Sequence, residues 1–157
     1  MSDARRGPGI PFPPPLVFVA AYALAWLLNT RLEFLIDGQG AGTIQQTAGA
    51  ALIGAGLVWM AYGIVTFVRA RTSVIPDQPA RQLVTWGPYR ISRNPMYLSL
   101  TAAYLGIALV NNYAWPLVLL PVALAGMTII IKREERYLHG AFGDAYDQYC
   151  RHVRRWV

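Results

Sequence analysis

The chain is 157 residues long, and 55% of them are hydrophobic while only 14% are charged. A soluble domain has about 25% charged residues, so this composition argues against one. The apolar content excludes a disordered chain, and the single cysteine, Cys150, excludes a disulfide scaffold. The net charge of +6 lies in short blocks between long uncharged runs and not over a soluble surface, so it predicts no nucleic-acid partner. We predict an all-α integral membrane protein, a single domain over residues 1–157 with about four transmembrane helices.

The first predicted span covers residues 15–29 and follows a proline-rich stretch, residues 8–15, that we expect at the membrane interface. A cleaved signal peptide is the alternative, because Arg5 and Arg6 precede the apolar run. No small-x-small cleavage site follows Leu28, so the pattern favours a retained span.

The second predicted span, residues 48–68, has 21 residues without a charge and is followed by Arg69. About 20 such residues cross the hydrocarbon of a bilayer. Small residues on a membrane helix allow another helix to approach closely. The candidates in this span are Gly49, Gly54, Gly56, Ala61 and Gly63.

Two further spans, residues 95–110 and 113–131, are separated only by Asn111 and Asn112, so we expect an antiparallel hairpin. Pro121 lies inside the second of them and is expected to kink it.

The tail, residues 134–153, has apolar residues at the i, i+3, i+4 spacing of an amphipathic helix. A break at Gly140 or Gly143 is expected. The sequence leaves open whether this helix lies at the membrane interface or docks on the helical bundle.

The positive charges predict an orientation. If the N-terminus is cytoplasmic, 13 of the 14 Lys and Arg residues fall on the cytoplasmic side and only Arg31 falls outside. This is a strong positive-inside bias. It places both termini and the loop 70–94 in the cytoplasm, where the basic blocks also meet anionic membrane lipids.

The chain has no phosphate-binding loop, no metal-ligand spacing and no nucleophile with a matching base. The loop before residue 95 is the first place where chemistry is expected. A membrane anchor with Asn94 as helix N-cap and Pro95 at the first helical position explains its arginines. That explanation leaves Tyr89 and Tyr97 unaccounted for.

The adjacent carboxylates Glu134 and Glu135 are the second candidate for a functional site. They are either solvated charges, neutralised by their neighbours on the same helix, or part of a site. The predicted hairpin favours a site, because it brings Asn94, Tyr97 and Glu134 to one end of the bundle.

Two segments resemble the signatures of the isoprenylcysteine carboxyl methyltransferase family, to which phospholipid N-methyltransferases are related. The resemblance covers about residues 43–157. The first signature is carried by Leu83-Val84-Thr85, Gly87-Pro88-Tyr89-Arg90 and Arg93-Asn94-Pro95-Met96-Tyr97-Leu98. The second is carried by Glu134-Glu135, Leu138, Phe142-Gly143, Tyr146, Tyr149 and Val153.

The resemblance implies a membrane enzyme that uses S-adenosylmethionine to methylate a lipophilic substrate entering from the bilayer. It implies catalytic roles for Glu134, Asn94 and Tyr97. The cofactor contacts that it implies are Gln82, Leu83, Val84, Tyr89, Asn94, Pro95, Met96, Tyr97 and Glu134.

The chain departs from the family pattern at three positions: Asn94 replaces a frequent His, Ser99 a Gly, and Ile130 the arginine of the prenylcysteine enzymes. The last change removes the expected partner of a substrate carboxylate. The acceptor is therefore left open between a small lipid carboxylate and a phospholipid amine. A non-catalytic membrane scaffold, with the glycine-rich second span as its interaction face, is the other alternative.

Overall fold

The computed structural model describes residues 13–73, 80 and 82–157, and over these residues the protein is helical without a strand. An isolated antiparallel bridge joins Leu35 to Tyr113. The helices are α1 (Pro15–Arg31), α2 (Thr43–Arg69), α3 (Pro95–Asn111), α4 (Trp115–Phe142) and α5 (Asp144–His152), with a 3-10 helix over Gly87–Arg90. The prediction of an all-α protein is confirmed for this part of the chain.

The two longest helices have the properties of membrane spans. The most apolar windows of α2 and α4 have mean hydropathies of 2.0 and 1.9, and only 17% and 28% of those windows are buried inside the protein. Apolar helices exposed in this way need an apolar solvent, which favours a lipid bilayer over the core of a soluble domain. The helices α1 and α3 are apolar but shorter, with 17 residues each.

The helix predicted over residues 134–153 belongs to two helices, and the break expected at Gly140 or Gly143 lies at Gly143. The helix α4 continues through Pro121 and past the apolar run to Phe142, and the chain then breaks at Gly143 before α5 begins. Gly143 has φ = +52°, a conformation that favours glycine. The Lys, Arg and Glu residues that follow Ile131 are strong helix formers, so α4 extends although the hydropathy falls.

Some sequence-based expectations lie outside the described residues. These are the interfacial position of residues 8–12, the placement of Arg5, Arg6 and Arg81, and the part of the loop over residues 74–79.

The chain divides into two compact units. Among the described residues, the first holds Pro13, 59–73, 80, 82–96 and 128–157, and the second holds 14–58 and 97–127.

In the second unit, α2 and α3 make backbone contact through glycines. A Cβ atom built on Gly106 would lie 2.6 Å from the carbonyl oxygen of Gly49, and one on Gly56 would lie 2.9 Å from the carbonyl oxygen of Ser99. The predicted close approach is therefore found at Gly49 and Gly56, whereas Gly54 faces open space.

Asn112 makes the tight turn between α3 and α4. Its φ of +58° is one that asparagine tolerates better than most residues. Its side-chain oxygen accepts hydrogen bonds from the Asp37 amide at 3.0 Å and from Nε2 of Gln45 at 2.9 Å, and its Nδ2 donates to the Asp37 carbonyl at 2.7 Å. The turn is thus fixed to the segment between α1 and α2.

Candidate functional site

A cluster of tyrosines forms the core of the first unit. It joins the end of α2, the loop before α3, and α5, through Ala70, Val84, Tyr89, Tyr146, Tyr149 and Val153. The Tyr149 hydroxyl donates to the Tyr89 carbonyl at 2.6 Å, and the ring of Phe67 packs edge-on against Tyr89 with centroids 5.0 Å apart. The amphipathic tail therefore docks on the protein, which is one of the two arrangements that the sequence left open.

Gly87 holds the loop against α2. It has φ = +64°, and a Cβ atom built on it would lie 2.9 Å from Oγ1 of Thr66. Thr66 is fully buried and its hydroxyl donates to the Tyr62 carbonyl at 2.8 Å. A larger residue at position 87 would push the 3-10 helix, and Tyr89 with it, away from α2.

The structure brings Met96 and the Tyr89 hydroxyl together beside Gly63 of α2. A Cβ atom built on Gly63 would lie 3.3 Å from Cγ of Met96 and 3.9 Å from the Tyr89 hydroxyl. Burial raises the pKa of Tyr89, and the nearby Tyr149 and Glu134 raise this pKa further. The Tyr89 hydroxyl therefore stays protonated at neutral pH and remains a hydrogen-bond donor, and the half-buried carboxylate of Glu134 lies within electrostatic range of it.

The other predicted cofactor contacts have different surroundings. Gln82 is exposed, and Leu83 packs half-buried against the tyrosine cluster. Val84 is only 5% exposed within that cluster, so a cofactor contact there would use its backbone. Pro95 is fully buried at the first position of α3. Tyr97 belongs to the second unit, and its predicted role beside Glu134 stays a prediction.

Asn94 binds the C-terminal segment, residues 153–157. Its side-chain amide donates to the Arg155 carbonyl at 2.9 Å, and its backbone N–H donates to Oγ of Ser92 at 3.0 Å. The Ser92 hydroxyl in turn donates to the same Arg155 carbonyl at 3.3 Å. The start of α3 is therefore fixed to the end of the chain.

Glu135 is paired with two arginines that are distant in sequence. In a bidentate pair, Nε of Arg155 donates to its Oε1 at 3.0 Å and Nη2 of Arg155 donates to its Oε2 at 2.7 Å. Nη1 of Arg93 lies 3.2 Å from the same Oε1. The side chains of Glu135 and Arg93 are only 15% and 14% exposed. The hydrogen bond to Glu135 raises the pKa of Arg155. We call Arg93, Glu135 and Arg155 the Glu135 cluster.

The two adjacent carboxylates therefore differ in their surroundings. Successive residues of a helix point about 100° apart, so Glu134 lies near Tyr89 while Glu135 is held by Arg93 and Arg155. For Glu135, this corrects the interpretation in which basic neighbours on the same helix neutralise the carboxylate. The sequence signal that was missed is the Arg154-Arg155 pair at the end of the chain.

We expect Glu135→Gln to lower the free energy of unfolding by about 3 kcal/mol, because it leaves the poorly exposed Arg93 and the one-third exposed Arg155 without their carboxylate. Chemical denaturation of the purified protein in mild detergent measures this. Arg133→Gln, at an exposed position on the same helix, is the control and should change little. Equal stability of Glu135→Gln and wild type would contradict the role of the cluster.

An open groove of about 570 Å³ lies beside the Glu135 cluster. The nine predicted cofactor contacts, all within the described residues, do not line it. Its lining consists of Arg93, Ile129, Lys132, Glu135, Arg136, His139, Tyr146, Cys150 and Arg155. Sequence reasoning missed this groove because its residues come from three separate segments.

The described residues form a small helical protein with two long apolar helices and a candidate site where the loop before α3 meets the end of α4. A family model described as phospholipid methyltransferase matches residues 44–145. The chain belongs to the phospholipid methyltransferase family, and this membership implies methyltransferase activity. The relationship expected from the two sequence signatures is confirmed at this level.

One relative is an uncharacterized protein from Haemophilus influenzae. It is 41% identical over 64 residues, which is 40% of this chain and the whole of that protein. No solved structure matches the chain.

Proposed function

We propose that the protein transfers a methyl group from S-adenosylmethionine to a lipophilic acceptor carried in the membrane. The observation that supports this most is the different environment of the two carboxylates. Glu135 is neutralised by two arginines, while Glu134 lies half-buried near the protonated hydroxyl of Tyr89. Family membership supports the same reaction.

The residues present fit the chemistry of this cofactor, which supplies an electrophilic methyl group on a sulfonium. Glu134 offers a carboxylate of reduced exposure to a cationic group, where attraction is stronger than in bulk water. The first backbone N–H groups of α3 suit a carboxylate. Tyr89 offers an aromatic face and a hydroxyl donor.

Beyond binding the cofactor, the protein must mainly position the acceptor. The acceptor must be held in line with the methyl group and within reacting distance. If the acceptor is an anion, charge is neutralised as the reaction proceeds, so a site that contains little water favours the reaction. Packing of the tyrosine cluster against the loop would exclude water on that side, since Val84 and Tyr89 are 5% and 7% exposed.

The acceptor was expected to be the carboxylate of an isoprenylcysteine-like or other small lipid. A phospholipid amine is the second candidate, and one observation favours it. Ile130 replaces the arginine expected to pair with a prenylcysteine carboxylate, and its side chain is buried at 6% exposure, so this position offers no cation. The family match is also to the phospholipid methyltransferases.

We propose further that α1, α2, α3 and α4 all cross the membrane, with both termini and the site on the cytoplasmic side. The support is the distribution of Lys and Arg in the sequence. A cysteine-labelling experiment on intact cells tests it, with single cysteines introduced at exposed Gly38 and exposed Gly140 in a Cys150→Ser background. The proposal requires an impermeant maleimide to label position 38 only; labelling of position 140 alone, or of both, contradicts it.

The reaction itself is tested with vesicles that contain the purified protein, S-adenosylmethionine labelled in its methyl group, and defined lipid acceptors. Label that is released by mild base identifies a carboxyl ester. Label that resists base and migrates with a methylated headgroup identifies an amine. Absence of transfer to every lipid, with folded protein, would contradict the proposal and leave the scaffold alternative.

A further inference from the structure

The groove beside the Glu135 cluster carries an excess of positive charge. Four of its lining residues are Lys or Arg and one is Glu, so its formal charge is +3 with His139 neutral. Glu135 is already shared by Arg93 and Arg155. Within the described part of the chain, Lys132 and Arg136 have no ion-pair partner.

The groove also lies where α4 changes from apolar to basic. Lys132 directly follows the apolar run that ends at Ile131, and Ile129, one turn earlier, is 60% exposed. Ile129, Lys132 and Arg136 are spaced by three and four residues, so they share one face of the helix. A ligand in this groove would meet an apolar surface at one end and cations at the other.

We propose that this groove binds an anionic phospholipid of the surrounding membrane, with the phosphate between Lys132 and Arg136 and the acyl chains along Ile129. Basic pockets at the ends of transmembrane helices bind lipid headgroups in this way, and guanidinium groups bind phosphate oxygens in bidentate geometry. A volume of about 570 Å³ accommodates a headgroup. The continuity with the apolar face of α4 favours a lipid over a soluble anion.

This binding goes beyond the proposed methyl transfer. The phosphate contacts Lys132 and Arg136 are not among the residues expected to hold the methyl donor, and a binding measurement needs neither donor nor turnover. Failure of one proposal is therefore distinguishable from failure of the other.

The test uses the full-length protein in an uncharged detergent and a fluorescent, short-chain phosphatidylglycerol as the probe. We expect saturable binding, and the double variant Lys132→Gln/Arg136→Gln should weaken it about 30-fold, as loss of two phosphate contacts predicts. The matched control is Arg133→Gln/Arg151→Gln. It removes the same charge from exposed positions on α4 and α5 that do not line the groove.

The outcomes separate the possible sources of binding. Loss confined to the Lys132→Gln/Arg136→Gln variant, with circular dichroism unchanged, supports the site. Equal loss in both double variants means diffuse attraction to positive charge and overturns it. Equal binding of a phosphatidylcholine probe, or displacement by equimolar inorganic phosphate, also overturns it.

Discussion

Replacing Glu134 with glutamine is expected to weaken binding of S-adenosylmethionine about 10- to 100-fold, the usual loss when a hydrogen-bonded charge is removed. The substitution keeps the shape of the side chain and removes the negative charge that lies near Tyr89. Methyl transfer at low donor concentration should fall by a similar factor. Single-turnover rates and a donor titration on the purified variant measure both.

The neighbouring carboxylate provides the matched comparison. Glu135→Gln removes an equal charge one residue away, from the pair with Arg93 and Arg155. We expect it to lower stability more than Glu134→Gln does and, in protein that remains folded, to weaken donor binding less. If the two variants lose donor affinity equally while both stay folded, the assignment of separate roles to the two carboxylates is wrong.

Replacing Gly106 with leucine is expected to prevent close packing of α2 on α3. Its Cβ atom would lie 2.6 Å from the Gly49 carbonyl oxygen and 2.7 Å from Cγ1 of Ile53. The first contact is with backbone, which relaxes only if the two helices separate, so the cost is expected to be about 3 kcal/mol or more. The melting temperature and the yield of monodisperse protein in detergent measure this loss of stability.

Gly54→Leu is the control on the same helix pair. Nothing lies within 4 Å of a Cβ atom built there, so stability should change by less than about 0.5 kcal/mol. Loss of folded protein in this variant would contradict the packing of α2. Unchanged methyl transfer in this variant would also count against a scaffold that uses the whole glycine-rich face of α2.

The positions of α1 to α4 could be predicted from the sequence, because each apolar run covers nearly the same residues as one helix. The start of α3 at Pro95 is also readable, since proline suits the first helical position. The end of α4 could not be predicted from hydropathy, because the apolar run ends at Ile131 while residues of high helix propensity continue the helix to Phe142. Gly143 was one of two expected breaks, and its positive φ distinguishes it from Gly140.

The candidate site is less predictable because its contacts join residues far apart in the chain. The two family signatures contain Tyr89 and Glu134 respectively, and in the structure the Glu134 charge helps to raise the pKa of Tyr89. The pairing of Glu135 with Arg93 and Arg155 depends on how the C-terminal segment packs, which no local pattern encodes. A helical wheel does predict that two adjacent carboxylates face different directions, but it does not tell which of them is neutralised.

A calorimetric titration of S-adenosylmethionine into the purified, folded protein tests the central claim most directly. We predict a saturable heat of binding in the micromolar range for the wild type and for Arg133→Gln, and a much weaker one for Glu134→Gln. A folded wild-type protein that gives no binding heat at any workable donor concentration would contradict the claim that this chain is a methyltransferase using that donor.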